Sequence, residues 1–205
     1  MKLEILNGQV MYDHFNNLKN NNSIYVPFNE AMCEGPPHID IFSDAFITDR
    51  CKSLGVTYLE YKKITLEPLK PLLDNKFKEV ILWFDEDMFC QINMLTILAY
   101  LDQNNFSGEV TINLVDPGYK VMDTFKTKTK GFKEVYIDVL INKSKPSNRV
   151  FVYLERGIDL YLEYSLEENE ITDFIEDNLS EPKDSLLKTL MKRFPDYGLG
   201  DTQYL

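Results

Sequence analysis

The stretch that decides the fold runs from Val80 to Leu101 and reads VILWFDEDMFCQINMLTILAYL. Its first five residues, Val80–Phe84, are apolar on both faces, which is typical of a central strand in a parallel sheet. Three acids follow the strand. The segment Met88–Leu101 is then apolar nearly all round, which predicts a helix buried against the sheet. A buried strand that leads directly into a buried helix indicates an α/β fold.

Strands are also predicted on either side of this stretch, over Leu3–Leu6, Ile24–Phe28 and Val110–Val115. A helix predicted from Val10 to about Leu18 lies between the first two, so the chain opens as a strand-helix-strand unit. We therefore predict an α/β fold with a Rossmann-like, mostly parallel sheet and flanking helices, followed by a helical C-terminal region.

The second half of the chain is rich in helical patterns. Val150–Tyr164 fits either a hairpin that turns at Arg156-Gly157 or an amphipathic helix, and the spacing of its apolar residues favours the helix. Two more amphipathic helices are predicted over Glu168–Leu179 and Lys183–Phe194. We therefore divide the chain into an α/β domain, residues 1–145, and a helical region packed on it, residues 146–205.

Composition excludes several classes of protein. A hydrophobic content of 44% is that of a folded globular chain, and a formal charge of −11 opposes direct contact with nucleic acid or an anionic membrane surface. The three cysteines have no CxxC spacing, and neither a leader nor an apolar run of about 18 residues is seen. These features predict a cytoplasmic protein with reduced thiols. The two histidines are too few and too isolated for a histidine-based metal cluster, so structural zinc is not expected and no metal ligand is assigned.

Polar residues follow the predicted strands, at the edge where open parallel sheets bind their ligands. The EGPP loop that begins at Glu34 is expected to join the same rim. No GxGxxG or GxxxxGK[ST] motif follows the first strand, which disfavours standard dinucleotide and P-loop phosphate binding. The sequence instead predicts one polar pocket at the strand ends. Its rim consists of Asn7, Gly8, Asn29, Glu30, Glu34, Gly35, Asp85 and Asp87.

Two of these acids, Glu30 and Asp85, are the predicted catalytic residues. Paired carboxylates can share a proton, act as general acid and base, or hold a divalent cation together with waters. The alternative is that each acid belongs to a solvated rim of an acidic chain. Asp85 or Asp87 is also expected to cap the helix that begins near Met88, because carboxylates at this position accept hydrogen bonds from the helix N-terminus.

Two amides and one cysteine lie in the first turns of the buried helix. Gln91 and Asn93 are predicted to bind a polar ligand. The alternative is that one of them braces a neighbouring loop such as the EGPP turn, since buried amides must be hydrogen-bonded. Cys90 is expected to be a packed core side chain, because the three acids before it oppose the lowering of its pKa by the helix N-terminus.

Five strings along the chain resemble the bacterial family called domain of unknown function 1835. They are LEILNG, FNEAMCEGP, LWFDEDMFCQINML, LYLEYSLEENEI and FPDYGLGDTQYL. The resemblance implies an α/β N-terminal domain and a helical C-terminal tail, and it carries no established activity. It also implies an Arg-Glu pair before the EGP loop. This chain has Asn29-Glu30 there and so lacks an anion clamp at that position.

Two functional hypotheses follow. The first is a protein that binds a small polar or nucleotide-like ligand at the strand ends and acts on it as a hydrolase or transferase. Its cofactor is not specified, and a divalent cation is compatible with the acids but not required. The second is a non-catalytic regulatory or protein-interaction module that contacts a partner through the C-terminal helices and the GLGDTQY segment.

Overall fold

Five strands form one sheet in the computed structural model, which describes residues 2–15, 22–74 and 77–204. The order across the sheet is β2-β1-β3-β4-β5. All neighbours pair in parallel except β5, which is antiparallel to β4. The predicted mostly parallel α/β fold is thus confirmed. The strands are β1 (Lys2–Leu6), β2 (Ser23–Pro27), β3 (Glu79–Phe84), β4 (Glu109–Val115) and β5 (Val121–Thr127).

Helices flank this sheet and form the C-terminal region. Two of them, α3 and α6, continue into wider π-helical turns over Lys62–Leu66 and Ile137–Ile141. None of the helices within the described residues is long and apolar enough to cross a membrane. The helices are α1 (Gly8–Phe15), α2 (Asp44–Ser53), α3 (Tyr58–Tyr61), α4 (Glu67–Leu73), α5 (Met88–Gln103), α6 (Phe132–Tyr136), α7 (Val152–Tyr164), α8 (Glu170–Asp177), α9 (Lys183–Arg193) and α10 (Asp201–Tyr204).

The stretch that decides the fold forms β3 and α5, as predicted. Along β3, Val80, Leu82 and Phe84 are buried, and every residue of α5 from Cys90 to Leu101 is buried as well. The sheet covers one side of α5, while α6 and α7 pack against the rest of it. This double cover explains why the helix is apolar nearly all round.

The C-terminal helices share one hydrophobic core with the sheet. Leu154 and Ile158 of α7 and Leu190 of α9 belong to the same buried cluster as the strand residues. Val150–Tyr164 contains the helix α7, so the hairpin alternative is wrong. At Gly157 the two helices approach so closely that an added Cβ would lie 2.5 Å from Cβ of Gln91.

The strand β5 and the short helices α3, α6 and α10 have no counterpart in the sequence-based prediction. β5 lies at the edge of the sheet and is largely exposed, including Val121 and Met122, so it lacks the apolar pattern that marks a strand. The predicted helix from Val10 to Leu18 is observed as α1, and its predicted last residues, 16–18, lie outside the described part of the chain.

Candidate functional site

The direction of strand order reverses between β1 and β3, which is where open α/β sheets hold their ligands. The loop after β1 carries Asn7 and Gly8, and the loop after β3 carries Asp85 and Asp87. The two loops are joined, because the Asn7 backbone amide donates to the carbonyl of Trp83 at 3.1 Å. We call the space between these loops the β1/β3 crevice.

Asp87 is the N-cap of α5. Its Oδ1 accepts the backbone N–H of Cys90 at 2.7 Å, and its Oδ2 accepts the Cys90 thiol at 3.3 Å. The thiol sulfur in turn accepts a hydrogen bond from the side-chain amide of Asn7. Burial raises the pKa of Asp87 to about 6, and burial followed by the charge of Asp87 raises the pKa of Cys90. Cys90 is therefore a buried, protonated thiol, as predicted.

The raised pKa of Asp87 makes a prediction about stability against pH. Because the folded state holds this proton more tightly than the ordinary value of 3.8 implies, the contribution of Asp87 to folding is fully present below pH 4 and is lost as the pH rises through 6. Asp87→Asn keeps a capping oxygen and removes the titration. The unfolding free energy of the variant minus that of the parent should therefore rise by about 2–3 kcal/mol between pH 4 and pH 7.

Urea unfolding of both chains across this pH range checks the prediction. Asp44→Asn, which removes an exposed carboxylate from the first turn of α2, is the control and should not change in the same way. Parallel curves for the parent and Asp87→Asn would show that the carboxyl does not titrate in this window.

Asp85 lies half-buried at the mouth of the crevice. Its Oδ1 accepts the backbone N–H of Glu86 at 2.6 Å, which holds the turn after β3. Burial raises the pKa of Asp85, and the charges of Glu86 and Asp116 raise it further, against the lowering effect of backbone hydrogen bonds. Asp85 is thus one of several carboxylates that repel one another at the carboxyl edge of the sheet.

Gln91, in the first turns of α5, is fully buried. Its Nε2 donates to the backbone carbonyl of Asp85 at 2.7 Å. Its Oε1 is buried and has no hydrogen-bond partner among the described residues. Gly157 of α7 covers the aliphatic part of this side chain. Gln91 therefore presents an unpaired acceptor directly behind Asp85.

Asn93 has a different role, because it braces a loop. Its Oδ1 accepts the backbone N–H of Met32 at 2.9 Å, and its Nδ2 donates to the carbonyl of Glu30 at 2.8 Å. Both groups of the amide are used on the loop that precedes the EGPP turn. This is the bracing alternative, and it leaves Asn93 without a group to offer a ligand.

Glu30, the other predicted catalytic acid, lies inside the protein and away from the crevice loops. One oxygen accepts hydrogen bonds from Nε and Nη2 of Arg50 at 3.1 and 2.7 Å, and the other accepts the hydroxyl of Tyr61. Both side chains of the Glu30–Arg50 ion pair are fully buried. The geometry therefore argues against an acid/base role for Glu30, because its carboxylate has no face left for a substrate.

Arg50 is the central residue that the sequence-based prediction missed. Besides Glu30 it binds the backbone carbonyls of Glu34 and Ala31, so one guanidinium holds the whole loop before α2. The available signal was its position four residues after Phe46 on the same face of α2, since both of these side chains are buried.

The remaining predicted residues fix loops to one another. The hydroxyl of Tyr164 donates to Glu34, and Gly35, with φ of +70°, leaves room for the side chains of Ser53 and Arg50. Asn29 donates to the carbonyl of Ile64 at 2.9 Å. The structure thus separates the predicted rim. The β1/β3 crevice brings together Asn7, Gly8, Asp85, Asp87 and Gln91, whereas Asn29, Glu30, Glu34, Gly35 and Asn93 serve the neighbouring loops.

Three cavities of about 660, 520 and 540 Å³ lie elsewhere on the molecule, and none of them is lined by a predicted site residue. Within the described ranges, no group of three or more histidine, cysteine, aspartate or glutamate side chains is arranged to hold a metal ion. The β1/β3 crevice is therefore the region that keeps five of the predicted residues together, and it offers hydrogen-bond acceptors.

A scan against protein-family models and searches of curated proteins and of solved structures find no match to this chain. The resemblance to domain of unknown function 1835 stays a prediction, and the functional argument rests on the geometry of the crevice.

Proposed function

We propose that the chain binds a small polar ligand rich in hydrogen-bond donors in the β1/β3 crevice. The observation that carries this proposal is Oε1 of Gln91, a buried amide oxygen without a donor in the described part of the chain. A buried acceptor without a hydrogen-bond donor lowers the stability of the fold by about 1–3 kcal/mol, and such groups are rare in folded proteins. A ligand or water that donates to this oxygen supplies one.

The chemistry around Gln91 narrows the class of ligand. The groups beside it are carboxylates, Asp85 and Asp87, and the charges of Glu86 and Asp116 act on Asp85. Negative charge of this density attracts amines and repels phosphates. The crevice therefore favours an amine or a polyhydroxylated compound over a nucleotide. Gly8, with φ of +81° and open space where a side chain would be, leaves room at the mouth.

Any hydrolase or transferase reaction in the crevice would use Asp85 as its acid or base. Burial raises the pKa of Asp85 above its ordinary value, which is the direction that favours a carboxyl as a general acid or base near neutral pH. Glu30 is not part of this proposal because Arg50 and Tyr61 occupy its carboxylate. We retain a cytoplasmic location as part of the proposal, supported by three cysteines that form no disulfide.

A thermal-shift screen tests this function with spermidine, agmatine, choline, glucose and myo-inositol as probes. At a concentration of about 100 times its Kd, a bound compound should raise the Tm of the parent by roughly 5–10 °C. Asp85→Asn should abolish this shift without unfolding the chain, because the amide oxygen can still accept the Glu86 N–H. Asp44→Asn is the matched control and should keep the shift. A panel that stabilises parent and Asp85→Asn equally would contradict the proposal.

The second candidate is the interaction module, which exposed apolar side chains on the C-terminal region support. Leu166, Leu179 and Met191 are 59%, 71% and 42% exposed. The GLGDTQY segment is a poorer contact surface, because Leu199 and Tyr204 are buried against the chain itself. Light scattering after size exclusion distinguishes the candidates. The interaction module would be favoured if the chain forms an assembly that Leu179→Lys dissociates and if no compound of the thermal-shift screen raises the Tm.

A further inference from the structure

A second polar site lies at the far end of α5, beyond the proposed ligand site. A cavity of about 660 Å³ opens between the end of α5, the start of α6 and the segment before α7. Its volume lies within the range of small-molecule sites, about 300–1,000 Å³. Because α5 has 16 residues, a length of about 24 Å separates this cavity from the β1/β3 crevice.

The two acids that line the cavity are already satisfied by the protein. Oδ2 of Asp102 accepts the backbone N–H groups of Gly131 and Lys133 at 3.0 and 2.9 Å, which fixes the turn into α6. Oε2 of Glu134 accepts from Nδ2 of Asn148 at 3.0 Å. Both carboxylates keep their negative charge, because their partners here are neutral N–H groups, and the charge of Asp102 acts on Lys133.

Three cations line the same cavity, and their charge is not neutralised by an ion pair. Nζ of Lys133 donates to two neutral oxygens, the carbonyl of Ile39 and Oε1 of Gln103. Lys130 and Arg149 make no ion pair or hydrogen bond with any residue that the structure describes. Against Asp102 and Glu134, these three cations leave the cavity lining with one net positive charge, in a chain with a net charge of −11.

We infer that this cavity binds a small phosphate-bearing compound. The guanidinium of Arg149 can give a fork of two parallel N–H groups to phosphate oxygens, and Lys130 and Lys133 add point charges. Burial lowers the pKa of Lys133 and outweighs the charges of Asp40 and Asp102, which raise it, so a further anion beside Lys133 would favour its ammonium form. The apolar side chains of Phe132 and Val150 give the cavity a surface for the non-phosphate part of the compound.

Calorimetric titration at constant ionic strength tests this inference, with phenyl phosphate and inorganic phosphate as probes. We expect saturable binding to the parent. The double substitution of Lys130→Gln and Arg149→Gln should lower the affinity by about tenfold or more, because it removes charge-assisted hydrogen bonds to the phosphate. The control removes two charges from α9 through Lys188→Gln and Lys192→Gln, which lie outside the cavity lining. It should leave the affinity unchanged within about twofold.

The outcomes separate the sources of the phosphate. Tighter binding of phenyl phosphate identifies an organic phosphate as the ligand, whereas equal binding of both probes identifies free phosphate, and each supports the site. The inference is overturned if neither probe binds, if the control substitutions weaken binding equally, or if only an RNA oligonucleotide binds. Failure here leaves the proposed function untouched, because the crevice probes carry no phosphate.

Discussion

Replacement of Arg50 by methionine is expected to destabilise the folded chain by about 3–5 kcal/mol, the cost of leaving a buried charge without its partner. The guanidinium and the Glu30 carboxylate are both fully buried at 2.7 Å, and no water reaches either side chain. Methionine fills a similar length of the site but offers no hydrogen bond. It therefore also removes the Arg50 hydrogen bond to the carbonyl of Glu34 and one of the two donors to the carbonyl of Ala31, which still accepts the backbone N–H of Glu34.

Equilibrium unfolding in urea measures this loss. Because a typical domain is stable by only about 5–15 kcal/mol, Arg50→Met alone can fail to fold. The double variant, Arg50→Met with Glu30→Gln, keeps the experiment decisive. Because its neutral amide leaves no buried charge without a partner, the double variant should be more stable than Arg50→Met alone. The control is Arg156→Met, whose ion pair with Asp196 is more than half exposed and should contribute less than about 1 kcal/mol. Equal losses for the two arginines would contradict the structural role of Arg50.

Gly157→Ala is expected to destabilise the chain by about 1–3 kcal/mol, the cost of overpacking a core. The new Cβ would lie 2.5 Å from Cβ and 3.0 Å from Cγ of Gln91, so α7 has to move away from α5. The direction is informative, because alanine in place of glycine inside an exposed helix normally stabilises by about 1 kcal/mol. The same movement would disturb Gln91 and is expected to weaken any ligand-induced thermal shift.

Unfolding midpoints for the pair Lys188→Gly and Lys188→Ala supply the control, since they measure the same glycine-to-alanine increment at an exposed position of α9. There alanine should be the more stable variant. Gly157→Ala more stable than the parent would mean that α5 and α7 do not approach each other as closely as the structure has them.

The buried elements and their caps could be predicted because their causes are local. β3 and α5 follow from one apolar run, and Asp87 caps α5 because a carboxylate stands directly before the helix. Likewise α7 follows from helical spacing in a single segment. β5 could not be predicted in this way. An edge strand paired on one side and exposed elsewhere has no apolar pattern, and only the neighbouring β4 defines it.

The structure brings only some of the predicted site residues together, for a related reason. Topology places the loops after β1 and β3 together, so Asn7, Asp85 and Asp87 could be grouped from strand order alone. The same argument grouped Glu30 with them, although its carboxylate turns toward Arg50, 20 residues further along the chain. Strand order fixes where a loop lies but not which way its side chains point.

The sequence by itself determined the parallel α/β core and the buried helix, and it narrowed the helix cap to Asp85 or Asp87, because hydrophobic period and capping chemistry act over a few neighbouring residues. Only the tertiary structure decided which polar side chains are hydrogen-bonded within the protein and which keep a group that a ligand could bind. Glu30 and Asn93 are used internally, whereas Oε1 of Gln91, under Gly157 of α7, has no donor in the part of the chain that the structure describes. Hydrogen-bond partners depend on how distant helices pack, and that arrangement is not written in any short stretch of residues.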